Sequence, residues 1–186
     1  RSNADIDYFG QRAGYTASPV ETINYIEKHD NQTLFDINVF RLPQSTSLAD
    51  RVRVQNLGAA IVLLSQGIPF IHAGQELLRS KSLDRDSYNA GDWFNRLDYS
   101  YASNNFGVGL PSADKNRDNW GLMTPVLENP LIKPDTRAIL AAKTAFEDLL
   151  RIRTDSSLFR LRTAKDVEER LRFYNTGPDQ LPGLVV

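Results

Sequence analysis

Apolar positions gather in two short runs, each ending in polar residues. Val20, Ile23, Tyr25 and Ile26 form a β-prone run that leads into His29, Asp30 and Asn31. The spacing predicts a strand over Val20–His29. A second run, Ile68–Ala73, is bounded by Gly67 and Gly74 and runs on to Gln75 and Glu76; it predicts another buried strand. Between them, Asp36–Ser47 reads as a loop closed by Pro43 and a Ser/Thr cluster. Ser47 is a good N-cap for a helix over Leu48–Gln66, ended by Gly67. Its first half is charged, through Asp50, Arg51 and Arg53. Its second half, Leu57–Leu64, is apolar on all sides, the mark of a helix end buried against several neighbours. Strand, helix and strand make a βαβ unit, expected to be parallel and right-handed. Buried parallel strands that end in polar residues deliver side chains to the rim of a barrel.

The rest of the chain divides more coarsely. Residues 1–19 are polar and aperiodic and read as a loop. Residues 74–134 are polar and aromatic with scattered Gly and Pro, a length that a compact domain carries mainly for function; some short helix is expected within them. Asp135 follows Pro134 and caps a predicted helix to about Arg153, with Ile139, Ala142, Phe146, Leu149 and Leu150 on one stripe. Arg151 and Arg153 fall in its last turn, where cations suit the helix dipole. Leu158–Leu161 and Leu171–Tyr174 read as short strands, Thr176–Asp179 as a turn, and Leu181–Val186 as the opening of a further strand. The pattern is that of a chain cut at both ends.

Composition narrows the function classes. Lys and Arg total 22 against 23 Asp and Glu, for a net charge of −1, and no block of one sign appears. A nucleic-acid or anionic-membrane partner is therefore not expected. There is no cysteine, which removes disulfides, thiol nucleophiles and thiolate metal sites. No apolar run reaches membrane-spanning length, and no N-terminal stretch reads as a signal peptide. The compartment stays open.

The polar tips carry the candidate chemistry. An adjacent histidine and aspartate can grip neighbouring sugar hydroxyls and stabilise developing positive charge; the competing reading is an Asx turn at Asp30–Asn31. Neighbouring side chains of a strand point to opposite faces. His29 and Asp30 can serve one sugar only if the strand ends and the backbone turns there. Asp84, Arg85, Asp86, Asn89, Asp92, Trp93 and Asn95 form the densest polar cluster. Asn89 and Asp92 are read as sugar contacts, and Trp93 as a core anchor. Glu76 lines the cleft, caps a short helix or binds an arginine, and these readings stand level. His72, inside an apolar strand, reads as a satisfied core histidine. The Asp84–Asp86 segment lacks EF-hand spacing, so no metal and no cofactor is expected.

Tyr25–Leu34, with its Glu-Lys-His-Asp-Asn core, and Gly67–Glu76 together resemble the last catalytic strands of the α-amylase superfamily of glycoside hydrolases. The continuation Leu77–Asn95, with Ser-Lys-Ser-Leu-Asp-Arg-Asp-Ser-Tyr-Asn at Ser80–Asn89, resembles pullulanases, the starch-debranching branch, more specifically. The resemblance runs from about Asp5 to the end. It implies an α/β fold: the last two strand–helix units of a (β/α)8 TIM barrel over residues 1–155, then the start of an antiparallel β-sandwich over 156–186. It implies that Asp30 stabilises the transition state and that His29 binds a hydroxyl of the same sugar, with Asn89 and Asp92 over outer subsites. The superfamily's nucleophile and general acid sit on earlier strands and match nothing here. The implied partner is an α-glucan such as pullulan or a branched dextrin, cleaved at α-1,6 linkages, and a secreted or cell-surface setting fits. The rivals are another superfamily member, such as an isoamylase or an α-1,4-acting amylase, and a non-catalytic carbohydrate-binding domain.

Overall fold

Helices begin where a short polar side chain serves the first free backbone amides. The computed structural model of the chain describes residues 5–181. A hairpin of β1 (Asp7–Tyr8) and β2 (Gln11–Arg12) comes first, then β3 (Ile23–Asn24), α1 (Leu34–Arg41), α2 (Leu48–Leu64) and β4 (Ile68–Pro69). The short helices α3 (Asp92–Asn95), α4 (Ala113–Asn116) and α5 (Trp120–Leu127) follow, then the long α6 (Thr136–Asp155) and α7 (Ala164–Arg170). Thr33, Ser47, Asp135 and Thr163 each accept a backbone amide three residues on, at 2.8 to 3.1 Å. The caps of α2 and α6 are the two expected from sequence.

β3 and β4 pair in parallel, Ile23 with Ile68 and Asn24 with Pro69. The Ile68 amide donates to the Thr22 carbonyl and the Phe70 amide to the Asn24 carbonyl, both at 2.8 Å. The predicted parallel pair therefore exists, but each strand is two residues long rather than ten and six. Beyond Asn24 the chain turns inward, because the Glu27 carboxylate accepts the Leu34 amide. Asn31 then adopts a left-handed conformation, φ 61°. The link from α2 to β4 needs Gly67: its φ is +106°, and a Cβ there would stand 2.9 Å from the Thr22 carbonyl.

Several expectations are corrected. Most of α1 lies in a stretch read as loop. Thr33 with Asp36 at the third helical position, and Phe35 and Val39 one turn apart on its buried face, outweigh the polar residues that follow. Residues 1–19 hold a hairpin, turned through Phe9 and Gly10 with φ 54° and 82°. Leu158–Leu161 is not a strand: Ser157–Phe159 forms a 3-10 turn. Leu171–Tyr174 is irregular and follows α7, which the sequence reading missed. Of the strand expected at Leu181–Val186, residues 182–186 lie outside the described residues. The apolar half of α2 buries Ala59, Val62 and Leu63, while Leu57 and Ile61 stay nearly half exposed.

The core lies where α1, α2 and α6 meet the loops after β4. Phe35, Val39, Leu83, Phe106, Ile132 and Ile139 fill it, with the Phe35 and Phe106 rings edge to face at 5.6 Å. Arg153 of α6 reaches across to the C-terminus of α2. Its guanidinium donates to the carbonyls of Leu63, Ser65 and Gly67 at 2.6, 3.0 and 2.8 Å, filling carbonyls the helix end leaves free.

One buried carboxylate ties this core to the loop after β4. Asp36 of α1 accepts the Ser80 hydroxyl, the Lys81 amide at 2.8 Å and the Leu83 amide at 3.3 Å. The loop needs such holding, because Ser82 and Leu83 carry φ of 51° and 71°, strained for residues with a side chain. Burial pushes the Asp36 carboxyl up to about 6, against the pull of Ser80, the two amides and the Lys81 charge. A carboxyl harder to ionise folded than unfolded withdraws stability as pH rises from about 4, the unfolded value, towards the folded value.

Two outcomes follow. In the full-length protein, Asp36→Ala strands two buried amides and should cost about 2–6 kcal/mol at roughly 1–3 kcal/mol each. Asp36→Asn keeps an acceptor for both amides and a donor for Ser80, so it should gain on the wild type as pH rises through that window. Unfolding midpoints across pH test both, and an Asp36→Ala protein as stable as wild type refutes the tie. Second, the isolated 186-residue chain should show no sharp thermal transition. Ile23, Tyr25, Ile68, Phe70, Leu57 and Ile61 are all 45% or more exposed, and each large side chain left in water forgoes about 1.5–3 kcal/mol. A cooperative monomeric melt in calorimetry would contradict this.

Candidate functional site

β3 ends at Asn24, well before the His-Asp tip, and the backbone bends at the tip itself. Residues 29–31 form a bend after β3. His29 Nδ1 lies 3.2 Å from Asp30 Oδ1, and both side chains are open to solvent. Lys28 also pairs with the other carboxylate oxygen of Asp30. The Lys28 hydrogen bond holds the Asp30 carboxyl below its ordinary range, with further help from the charges of His29, Lys28 and Lys81. Asp30 is therefore an exposed, fully ionised acceptor beside an imidazole. Its side chain makes no bond to the amides after it among the described residues, so the Asx-turn reading has no support.

The loop after β4 clasps this tip from below. Lys81 is almost fully buried, and its Nζ donates to the His29 carbonyl at 3.0 Å. Arg85 donates to the Asn31 side-chain carbonyl at 3.3 Å. The same loop that Asp36 anchors thus fixes His29 and Asn31, on either side of Asp30. Lys81 escaped the sequence reading; its one signal is a lysine set between serines just ahead of Leu83.

Further along, Asn89 accepts a hydrogen bond from Lys115 at 2.7 Å. Lys115 also pairs with Asp86 at 3.1 Å and lies 4.0 Å over the Tyr88 ring. Asp92 opens α3 and is exposed. With Trp93, Asn95 and Arg96 it lines a shallow cavity of about 270 Å³. Trp93 is a correction: it is 62% exposed, not a core anchor. Its indole N–H donates to the Val108 carbonyl at 3.0 Å, which holds the ring out at the surface. Asp84 is buried and accepts the Asp86 amide at 2.9 Å. Glu76 takes the capping reading, accepting the Gly74 amide at 3.1 Å.

His72 is part-buried between two partners. Its Nε2 lies 3.1 Å from Arg79 and its Nδ1 3.6 Å from the Glu27 carboxylate. Glu27, an acid inside an apolar run, is the sequence signal for this buried group. Among the described residues no three of His, Cys, Asp and Glu gather into a possible metal site, and no helix is long and apolar enough to cross a membrane.

Comparison with known proteins points one way. Residues 101–186 match the family model for the C-terminal part of pullulanase-type alpha-1,6-glucosidases. The chain is 57% identical to the chloroplastic pullulanase 1 of Arabidopsis thaliana over 172 residues, 92% of this chain and 18% of that one. It is 46% identical to a pullulanase of Klebsiella pneumoniae over 187 residues, the whole of this chain and 17% of that one. The crystal structure of PulA from Klebsiella oxytoca superposes with a TM-score of 0.90 at 43% identity, over 97% of this chain and 17% of that one. A Klebsiella pneumoniae pullulanase complexed with maltotriose superposes at 0.87 with 40% identity, over 97% of this chain and 17% of that one. The chain spans under a fifth of the length of these relatives.

Proposed function

We propose that this chain, which belongs to the pullulanase family, supplies part of the catalytic cleft of a longer enzyme that hydrolyses α-1,6 branch linkages. Its substrates are α-glucans: pullulan, starch and glycogen limit dextrins. The observation that carries the reading is the ionised, solvent-facing Asp30 held beside His29, in a chain whose relatives include a pullulanase complexed with maltotriose.

Glycoside hydrolysis passes through an oxocarbenium-like transition state and uses two carboxyl groups flanking the bond. In this reading both lie on other segments of the full-length protein, and the anomeric configuration is retained. Asp30 is the third carboxylate. Its negative charge, exposed to solvent and kept ionised chiefly by the Lys28 hydrogen bond, stabilises the positive charge that develops on the sugar ring. His29 binds a hydroxyl of the same sugar through the ring nitrogen that Asp30 leaves free. Asn89 and Asp92 hydrogen-bond outer sugars, and the exposed face of Trp93 offers a stacking surface for a pyranose ring.

The fold reading is the matching one. Residues 1–155 are the last two strand–helix units of the catalytic (β/α)8 barrel, and residues 156–186 lead into a C-terminal β-sandwich, with α7 in the connection. The short parallel pair and its apolar, uncovered flanks support this, since barrel strands lengthen and bury once both neighbours are present.

Two measurements test the function. In the full-length protein, Asp30→Asn should lower kcat/KM on pullulan by about two to three decades while leaving the unfolding midpoint near wild type. Near-normal turnover would remove Asp30 from the chemistry. The isolated chain, lacking nucleophile and acid, should release no reducing ends from pullulan. Sustained release above a contaminant control would overturn its role as one part of a divided site.

A further inference from the structure

Three polar groups lie beneath the rim and take no part in the chemistry above. Glu27 is the deepest, with its side chain 1% exposed. One oxygen accepts the Leu34 amide. The other, Oε1, has no hydrogen-bond partner among the described residues and stands 3.6 Å from His72 Nδ1, which likewise has none. Across the imidazole, Nε2 lies 3.1 Å from the Arg79 guanidinium. Arg79 continues outward, donating to the Ala73 carbonyl at 3.1 Å and to the Asn95 carbonyl at 2.8 Å. Asn95 in turn closes the 87–95 loop. Its amide donates to the carbonyls of Ser87 at 2.7 Å and Gly91 at 2.9 Å, and its oxygen accepts the Ser87 hydroxyl at 2.8 Å.

Donor and acceptor rules assign the protons. A guanidinium can only donate. Nε2 of His72 must therefore accept, so it carries no hydrogen, and the hydrogen of the neutral ring sits on Nδ1, on the side of Glu27 Oε1. A closure of a few tenths of an ångström brings that pair within hydrogen-bond distance. We propose that Glu27, His72 and Arg79 form a positioning relay, with His72 held as the Nδ1–H tautomer. It locks the Glu27–Leu34 segment, which bears His29 and Asp30, to the 87–95 loop, which bears Asn89 and Asp92. The purpose of the relay rests on the sugar-binding reading of those two loops; its geometry does not. None of the three residues is catalytic, since they act through the loops they hold.

The relay makes an unusual demand on Glu27. Both of its oxygens face donors, the Leu34 amide on one side and His72 Nδ1–H on the other. Glutamine has the same shape but one acceptor, so its NH₂ must meet one of these donors. Isosteric replacement should therefore break a link that a merely space-filling side chain would not notice. His72→Gln, by contrast, still offers an acceptor to Arg79 and a donor to Glu27, whereas His72→Leu offers neither.

Hydrogen–deuterium exchange read by mass spectrometry on the full-length protein tests this without requiring activity. Glu27→Gln and His72→Leu should each speed exchange in the peptide covering residues 87–95 by about tenfold, as local opening becomes easier. His72→Gln should stay within about twofold of wild type on the same scale. Unchanged exchange at 87–95 in Glu27→Gln, or His72→Gln loosened as much as His72→Leu, overturns the relay. If Glu27→Gln does not fold, the comparison of His72→Gln with His72→Leu decides alone. Pullulan turnover by the wild-type protein, measured alongside, separates the two readings: no turnover refutes the proposed function and leaves the exchange result standing.

Discussion

The structure hangs on the buried carboxylate of Asp36. Three donors from one loop converge on it, and two residues of that loop hold left-handed backbone angles that only outside contacts sustain. The carboxylate sits on the first helix after the His-Asp tip, so helix and loop are fixed to each other at the base of the rim. Lys81 passes through this junction, leaving its amide on Asp36 and its ammonium on the His29 carbonyl. The burial that makes the carboxylate costly to ionise is what makes these contacts strong, because few waters compete for the donors.

The site inherits its geometry from that junction. Asp30 needs to be exposed and ionised, and exposed residues are held weakly by their own contacts. Here the holding is done one residue to either side, by Lys81 on His29 and Arg85 on Asn31. The acidic side chain, paired with its neighbours Lys28 and His29, stays open to solvent. The buried Lys81 and the exposed Arg85 do the holding, and the charge that would do chemistry is left in solvent. Glu27, His72 and Arg79 repeat the arrangement on the neighbouring strand ends, again beneath the surface.

How much of this was legible follows from which forces are local. The helices α2 and α6 could be read because Ser47 and Asp135 cap them and their apolar spacing persists for several turns. The parallel partnership of the two apolar runs was legible from their composition. Their length was not, because strand length depends on neighbours outside the run, and Glu27 draws the chain inward through a bond to Leu34 seven residues away. Helix α1 hid behind Asp36, a polar residue whose partners lie more than forty positions downstream. Trp93 read as core on average behaviour, yet a single bond to Val108 keeps it at the surface. The strands expected at Leu158–Leu161 and Leu171–Tyr174 failed because short apolar runs fit several structures, and Thr163 supplied a helix cap between them. His29, Asp30, Asn89 and Asp92 were named from residue type together with the family resemblance; the lysines that support them were not, since nothing local distinguishes Lys81 or Lys115 from solvated charges.

The most direct test of the account is a crystal structure of the full-length protein with maltotriose bound. One sugar should lie with hydroxyls within about 2.6–3.2 Å of both the His29 ring and the Asp30 carboxylate, while Lys81 stays on the His29 carbonyl and Arg85 on Asn31. A saccharide bound in the cleft with Asp30 turned away from it, or with His29 and Asp30 on different sugars, would contradict the claim that this tip serves a single subsite.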